Sequence, residues 1–249
     1  MRIKEITNLR FLIEKFYQEK GRKPKIICDW DDVIQVHLPL LTWELKEEKI
    51  PFQDFYKNFW QKEFVTSKQF KVNCGINKEG EKKSKYEELI KRSDFYKDAS
   101  FLSPAKELLT SLQAETIESL IFLTACDKSS FSDSDPRKIE IFKKTFGNFS
   151  STQLNFIPFT IGSIPPKWQW IKENCPDFDI FIDDNPHIVS RTMETFPLNK
   201  IYALPDYNYN KVVEDNVCLL TAEIASLTEE SFRLTTQIEK NESCFYQEN

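Results

Sequence analysis

An α/β protein with a central parallel sheet, covered by helices on both faces, is predicted from three observations. Short uninterrupted apolar runs, Ile26-Ile27-Cys28, Leu120-Ile121-Phe122-Leu123 and Ile180-Phe181-Ile182, read as strands buried on both sides. Stretches with apolar residues at helical spacing alternate with these runs. Polar residues capable of chemistry stand just where the runs end: Asp29, Asp31 and Asp32 after the first, Thr124 after the second, Asp183 and Asp184 after the third. In open parallel sheets, ligands bind at the carboxyl ends of the strands.

The elements follow in order. Ile6, Leu9, Ile13 and Phe16 recur at helical spacing, and Gly21 and Pro24 stop the pattern, so residues 1–24 are expected to be a helix packed on the core. The first strand, from Lys25, then runs into its acids. The next apolar strand begins only at Ser119, far beyond the roughly dozen residues a crossover requires. Residues 36–100 are therefore read as a small, mainly helical insertion forming a cap over the acids. Residues 25–35 and 101–249 are read as the core. Within the insertion, Phe52, Phe55, Tyr56, Phe59, Trp60 and Phe64 form one aromatic helix face, expected to be the cap's own core. A polar stretch from Asn77 to Lys83 separates it from a second helical segment near Tyr86 to Ile90.

Ser103 as N-cap with Pro104 behind it opens a helix through Leu108 and Leu112. Pro136 opens another, carrying Ile139, Phe142 and Phe146 and ended by Gly147. Leu154 to Ile161 is expected as a strand, Pro165-Pro166 as the start of a helix, and Phe178 to Ile182 as a strand. His187 to Phe196 is expected as a helix, Lys200 to Leu204 as a strand, and the segment from Thr228 as a final helix.

Composition narrows the function. Apolar residues make up 40% and aromatic residues 14%, enough for a packed core. A net charge of −5 provides no electrostatic footprint for nucleic acid or an anionic membrane, and neither is expected as a partner. No apolar run approaches the ~18 residues of a membrane span, and residues 1–5 do not read as a signal segment. Six dispersed cysteines and two histidines do not suit a zinc site and suggest a reduced, cytoplasmic setting. Five glycines, in neither G-x-G-x-x-G nor G-x-x-x-x-G-K, exclude a Gly-rich nucleotide loop. Acids packed as closely as Asp29, Asp31 and Asp32 repel one another, and a cation is the simplest means of holding them ionised.

Taken in order, Asp29-Trp30-Asp31, Thr124, Lys167 and Asp183-Asp184 resemble the four motifs of the haloacid dehalogenase-like (HAD) hydrolase superfamily, over the span from Lys25 to about Leu204. The resemblance implies a Rossmann-like core and the phosphatase branch with a cap inserted after the first core strand. It implies a Mg²⁺-dependent phosphohydrolase (phosphomonoesterase) working through an aspartyl-phosphate on a small phosphorylated metabolite or nucleotide. Asp29 would be the nucleophile and Asp31 the acid and base. Thr124, the Ala125 backbone and Lys167 would bind the phosphoryl group, and Thr124 and Lys167 would stabilise its charge. Mg²⁺ would be held by Asp29, the Asp31 carbonyl and Asp183, with Asp184 orienting Lys167 or a metal-bound water. Retention of Asp31 favours phosphate over carbon–halogen chemistry.

Three points stay open at this level. Lys138, also near a helix start, rivals Lys167 as the motif lysine. Asp32 stands where glycine is commonest, so the turn after the nucleophile is expected to be hydrogen-bonded differently. The alternative function is a catalytically idle binding or scaffold protein on the same core. A phospho-accepting receiver domain is disfavoured because an acidic pair follows Lys167 in the chain. His187 is read as a helix-entry residue, and Cys28 and Cys126 are assigned no chemistry.

Overall fold

The computed structural model describes residues 6–46, 49–60, 88–89, 91–92, 95, 99–127, 134–159, 164–196, 199–207, 210, 217–225 and 227. Seven strands among these form one sheet: β1 (Ile6–Thr7), β8 (Val217–Leu220), β7 (Ile201–Pro205), β6 (Ile180–Ile182), β2 (Lys25–Cys28), β4 (Ser119–Asp127) and β5 (Thr152–Phe159), in that spatial order. Every neighbouring pair is parallel. A two-stranded antiparallel ribbon, β3 (Phe101–Leu102) with β9 (Ile224–Ala225), stands apart. The fold is the α/β, Rossmann-like class expected.

Alternation along the strands assigns the two faces. Ile26 and Cys28 of β2 join Leu120, Phe122, Ile180 and Ile182 on one face, under α1 (Leu9–Lys20) and α4 (Ser103–Gln113). Ile27 points the other way and joins Leu123, Phe181 and Tyr202, covered by α6 (Lys167–Asn174) and α7 (Pro186–Thr195) through Ile171, Ile188 and Val189. Burial of both faces explains why these strands read as continuous apolar runs. Between β4 and β5 the chain forms α5 (Pro136–Thr145), whose end places Phe146 against Trp30 and Phe122 at ring-centroid distances of 6.1 and 4.7 Å. Gly147 follows because a Cβ there would lie 2.6 Å from the Lys143 carbonyl oxygen.

Several expected boundaries move. Ile6 is not on the first helix: it lies in β1, 49% exposed at the sheet edge, and Asn8 caps α1 by accepting a hydrogen bond from the Phe11 N–H at 2.7 Å. Gly21 ends that helix in the left-handed region, φ +66°, which glycine enters without strain. Ser103 is the first residue of α4 rather than its cap; its hydroxyl donates to the Thr221 carbonyl at 2.8 Å. The two-residue edge strand β1 carries too little apolar pattern to be read locally, whereas β8 is an uninterrupted apolar run, Val217-Cys218-Leu219-Leu220.

After β2 come α2 (Leu38–Lys46) and α3 (Phe52–Phe55), the latter continuing as a π-helical turn, Tyr56–Trp60. That wider turn breaks the 3.6-residue aromatic stripe. Phe55 and Tyr56 pack with Val36, Leu40, Leu41 and Phe95, and also with Leu102, Tyr207 and Ala222 outside residues 36–100, so this cluster is not confined to the segment expected as a cap. Phe64, residues 77–87 and the segment from Thr228 lie outside the described residues. No helix among the described residues is long and apolar enough to cross a membrane.

Candidate functional site

Register brings the acids together. Cys28 of β2 lies opposite Ile182 of β6 and opposite Phe122 of β4, so Asp29 and Asp183 both begin the residues past the sheet, and Thr124 lies two beyond Phe122. The Asp29 N–H donates to the Ile182 carbonyl at 2.8 Å and locks this alignment. The chain runs from β2 to β4 and β5 on one side, then returns to β6, β7 and β8 on the other. The acids therefore stand at the carboxyl end of the strands where the winding reverses, the place such sheets leave open for a ligand.

Each carboxylate of the D-x-D pair has its own lysine. Lys167, the first residue of α6 and 1% exposed, bridges Asp29 Oδ1 at 2.8 Å and Asp183 Oδ2 at 2.7 Å. Lys138, in the first turn of α5 and 2% exposed, donates to Asp31 Oδ2 at 2.6 Å and Thr124 Oγ1 at 2.7 Å. Both ammonium groups occupy helix N-termini, where the dipole disfavours a cation by ~0.3–1 kcal/mol; the carboxylates compensate. Asp183 Oδ1 also accepts from the Asn185 N–H at 2.9 Å, while Asn185 caps α7 through His187 N. His187 is exposed at that helix entry. Ala125 continues β4 opposite Ile157.

One carboxylate oxygen each from Asp29, Asp183 and Asp184 lies within 4.8 Å of the others. Burial pushes the Asp29 carboxyl up to about 7; Lys167 opposes this, and Asp183 and Asp31 reinforce it. Burial, then Asp183, Asp32 and Asp29, raise Asp184 well above the ordinary carboxylate range. Burial alone would lower the Lys167 ammonium, but Asp183 and Asp29 reverse this and hold it above the usual lysine range. Three crowded carboxylate oxygens, those of Asp29 and Asp183 buried and that of Asp184 partly so, suit a hard divalent cation, which would discharge their mutual repulsion.

Asp32 resolves the missing glycine. It takes the left-handed conformation that glycine would supply, φ +57°. Its carboxylate turns to cap the start of α2, accepting from the His37 N–H at 2.7 Å and the Leu38 N–H at 3.1 Å. The Tyr207 hydroxyl donates to its carbonyl at 2.7 Å. Asp can adopt this region because a short polar side chain makes local hydrogen bonds there. Trp30 between the two acids is fully buried, its indole N–H donating to Gln35 Oε1 at 2.9 Å.

No family model matches the chain, and no curated protein matches it significantly. Among similar solved structures is a protein provisionally named a haloacid dehalogenase-like hydrolase from Burkholderia xenovorans LB400. It is 11% identical over 86% of this chain and 98% of that one, with a TM-score of 0.43. Another, from Bacteroides vulgatus, is provisionally named a beta-phosphoglucomutase; it is 12% identical over 96% of this chain and 98% of its own, with a TM-score of 0.40. Likeness at this level carries no argument about activity, and the functional reading rests on the site's own residues.

Of the residues singled out in the sequence, Asp29, Asp183, Asp184 and Lys167 form one cluster, and Asp31, Thr124 and Lys138 form another beside it. The rivalry between the two lysines dissolves, since both are in the site with different partners. Tyr207 and Asn210, whose amide donates to the Asp184 carbonyl at 3.3 Å, were not foreseen. Their only signal is position, just past the carboxyl end of β7.

Proposed function

We propose that this chain is a Mg²⁺-dependent phosphomonoesterase that works through an aspartyl-phosphate on a small phosphorylated metabolite or nucleotide. The observation that supports it best is the Asp29–Lys167–Asp183 bridge, with Asp184 alongside, Asp31 in the turn after β2 and Thr124 within the adjoining strand β4, which runs on to Asp127 rather than ending before Thr124 as expected. Asp29, the Asp31 carbonyl and Asp183, with Asp184, would hold Mg²⁺, which when bound supplies charge to neutralise the phosphoryl oxygens. An Asp29 oxygen attacks phosphorus, the bond to the leaving oxygen breaks, and Asp31 delivers its proton to that oxygen. Water then attacks the phosphorus, Asp31 takes its proton, and inorganic phosphate departs as the Asp29 carboxylate is restored. Thr124 and the Ala125 backbone bind phosphoryl oxygens, and Lys167 balances charge on the nucleophile.

The direct test is hydrolysis of a panel of phosphate monoesters with Mg²⁺ and after chelation. Release of phosphate that stops on chelation and returns with Mg²⁺ is expected. A protein that releases none from any ester would overturn this reading in favour of the idle binding or scaffold alternative.

The buried carboxyls also make the effect of Mg²⁺ depend on pH. In the metal-free protein Asp29 titrates at about 7 and Asp32 at about 8, both raised from 3.8 by burial. The folded chain thus keeps protons that the unfolded chain has lost. Their stabilising contribution is full below the unfolded value and is lost as pH rises through the folded ones. Mg²⁺ requires the ionised form and replaces the Asp29 proton. The rise in melting temperature on adding Mg²⁺ is therefore expected to be larger at about pH 8 than at about pH 5, measured by thermal denaturation.

A further inference from the structure

We propose that Lys138 is a positioning residue for leaving-group protonation: its ammonium ties the Asp31 carboxylate to the Thr124 hydroxyl and so aligns the acid with the phosphoryl group. This rests on the phosphohydrolase reading and adds to it a second lysine with a separate task. Lys167 serves the nucleophile side, through Asp29 and Asp183, while Lys138 serves the side of the acid.

The position of Lys138 is built from below. Asp135 caps α5 by accepting from the Arg137 N–H at 3.0 Å, and its other oxygen takes the Arg137 guanidinium at 2.6 Å. Arg137 in turn donates to the Arg92 carbonyl at 2.8 Å, so the turn that carries Lys138 is anchored to the inserted region. A lysine stem ordinarily keeps much rotamer freedom; here the ammonium donates to both Asp31 and Thr124 and the stem is buried. The Asp31 side chain keeps 23% exposure, so a leaving oxygen has access to it. Without Lys138 that partly exposed carboxylate loses its tie to Thr124, while the Asp29–Lys167–Asp183 bridge is untouched.

The consequence is selective. Phosphoryl transfer to Asp29 from an ester with a weakly acidic alcohol needs the proton from Asp31 as the P–O bond breaks. An ester whose leaving group departs readily as the anion needs it far less. Benzyl phosphate and nitrophenyl phosphate supply this contrast at similar size. Their kcat/KM values report the steps up to departure of the leaving group, before the water step they share. For Lys138→Met, kcat/KM is expected to fall ~10²-fold or more on benzyl phosphate and less than ~10-fold on nitrophenyl phosphate. Lys138→Arg should recover part of the loss on benzyl phosphate. Asp31→Asn should give the same pattern, and the double variant should lose little beyond Asp31→Asn alone, because the lysine acts through that carboxylate. Lys138→Gln, which keeps a donor and most of the stem, serves if Lys138→Met does not fold. Equal losses on both esters, or losses that multiply in the double variant, overturn the proposal and leave the phosphohydrolase reading standing. Where the unsubstituted protein takes neither ester, the same contrast is read on an alkyl and an aryl ester of the wider panel that it does hydrolyse; if it hydrolyses none, the phosphohydrolase reading fails, and this one with it.

Discussion

Asp29→Asn is expected to lower phosphate release by ~10⁴-fold or more while the protein stays folded. The amide has the shape of the carboxylate and keeps an oxygen to accept from the Trp30 N–H, which lies 2.7 Å from Asp29 Oδ1. It lacks the charge that makes the oxygen nucleophilic and that binds a divalent cation. Stability should change little or rise in metal-free protein. Asp29 is repelled by Asp183 and Asp31 inside a buried site, and Lys167 retains Asp183 when Asp29 is neutral. The checks are steady-state turnover with Mg²⁺ and the melting temperature without it. Full activity in a folded Asp29→Asn protein would remove Asp29 as nucleophile. Loss of activity together with loss of fold would point instead to a structural role for the carboxylate. The stabilisation that Mg²⁺ confers should shrink in the same variant, since one of three clustered carboxylates loses its charge.

What could be read from the sequence and what could not divide along a physical line. Strands buried on both faces announce themselves by composition, so β2, β4 and β6 and the acids behind two of them were legible. Lys167 was legible too, because a lysine at a helix start works against the dipole and needs a reason. The partition of the lysines was not: Lys138 and Lys167 have the same local signature, and only the sheet order, with β4 on one side of β2 and β6 on the other, sends one to Asp31 and the other to Asp29 and Asp183. Asp32 was legible as a departure from glycine but not as the cap of α2, because its partners His37 and Leu38 are set by the path of the chain after the turn. β1 escaped because a two-residue edge strand is defined by its partner across the sheet, Ile6 against Leu219; β8, interior between β1 and β7, offered the same kind of apolar run as β2, Val217 to Leu220. Tyr56 escaped in another way: its aromatic spacing suggested a helix face, yet its hydroxyl donates to the Ala222 carbonyl at 2.6 Å, a contact 166 residues away in sequence.

Lys167→Met should produce the largest change in stability, and its dependence on conditions identifies the cause. The ammonium is 1% exposed and lies within 2.8 Å of Asp29 and 2.7 Å of Asp183, both themselves buried. Removing it leaves two carboxylates facing each other with little water, a loss of ~3–5 kcal/mol for breaking a buried ion pair. For a chain of this size that is a fall of roughly 10 °C in melting temperature. The methionine fills most of the lysine stem's volume, so a cavity contributes little and charge dominates. Two manipulations separate these terms. Asp29, deprived of the partner that lowers its pKa, takes up a proton at a higher pH than in the unsubstituted protein, so the deficit should be largest at alkaline pH and shrink as pH falls toward about 7. Adding Mg²⁺ near neutral pH should recover stability by supplying the missing positive charge. Activity should not follow stability back: with Mg²⁺ present, turnover is still expected to fall ~10²–10³-fold, as for removal of one donor from a preorganised charge-stabilising site. Unlike Lys138→Met, the loss should be the same for benzyl and nitrophenyl phosphate, because Lys167 serves the nucleophile rather than the leaving group. A melting temperature that falls equally at all pH values and ignores Mg²⁺ would mean that Lys167 is held by packing, and the bridge would lose its electrostatic role.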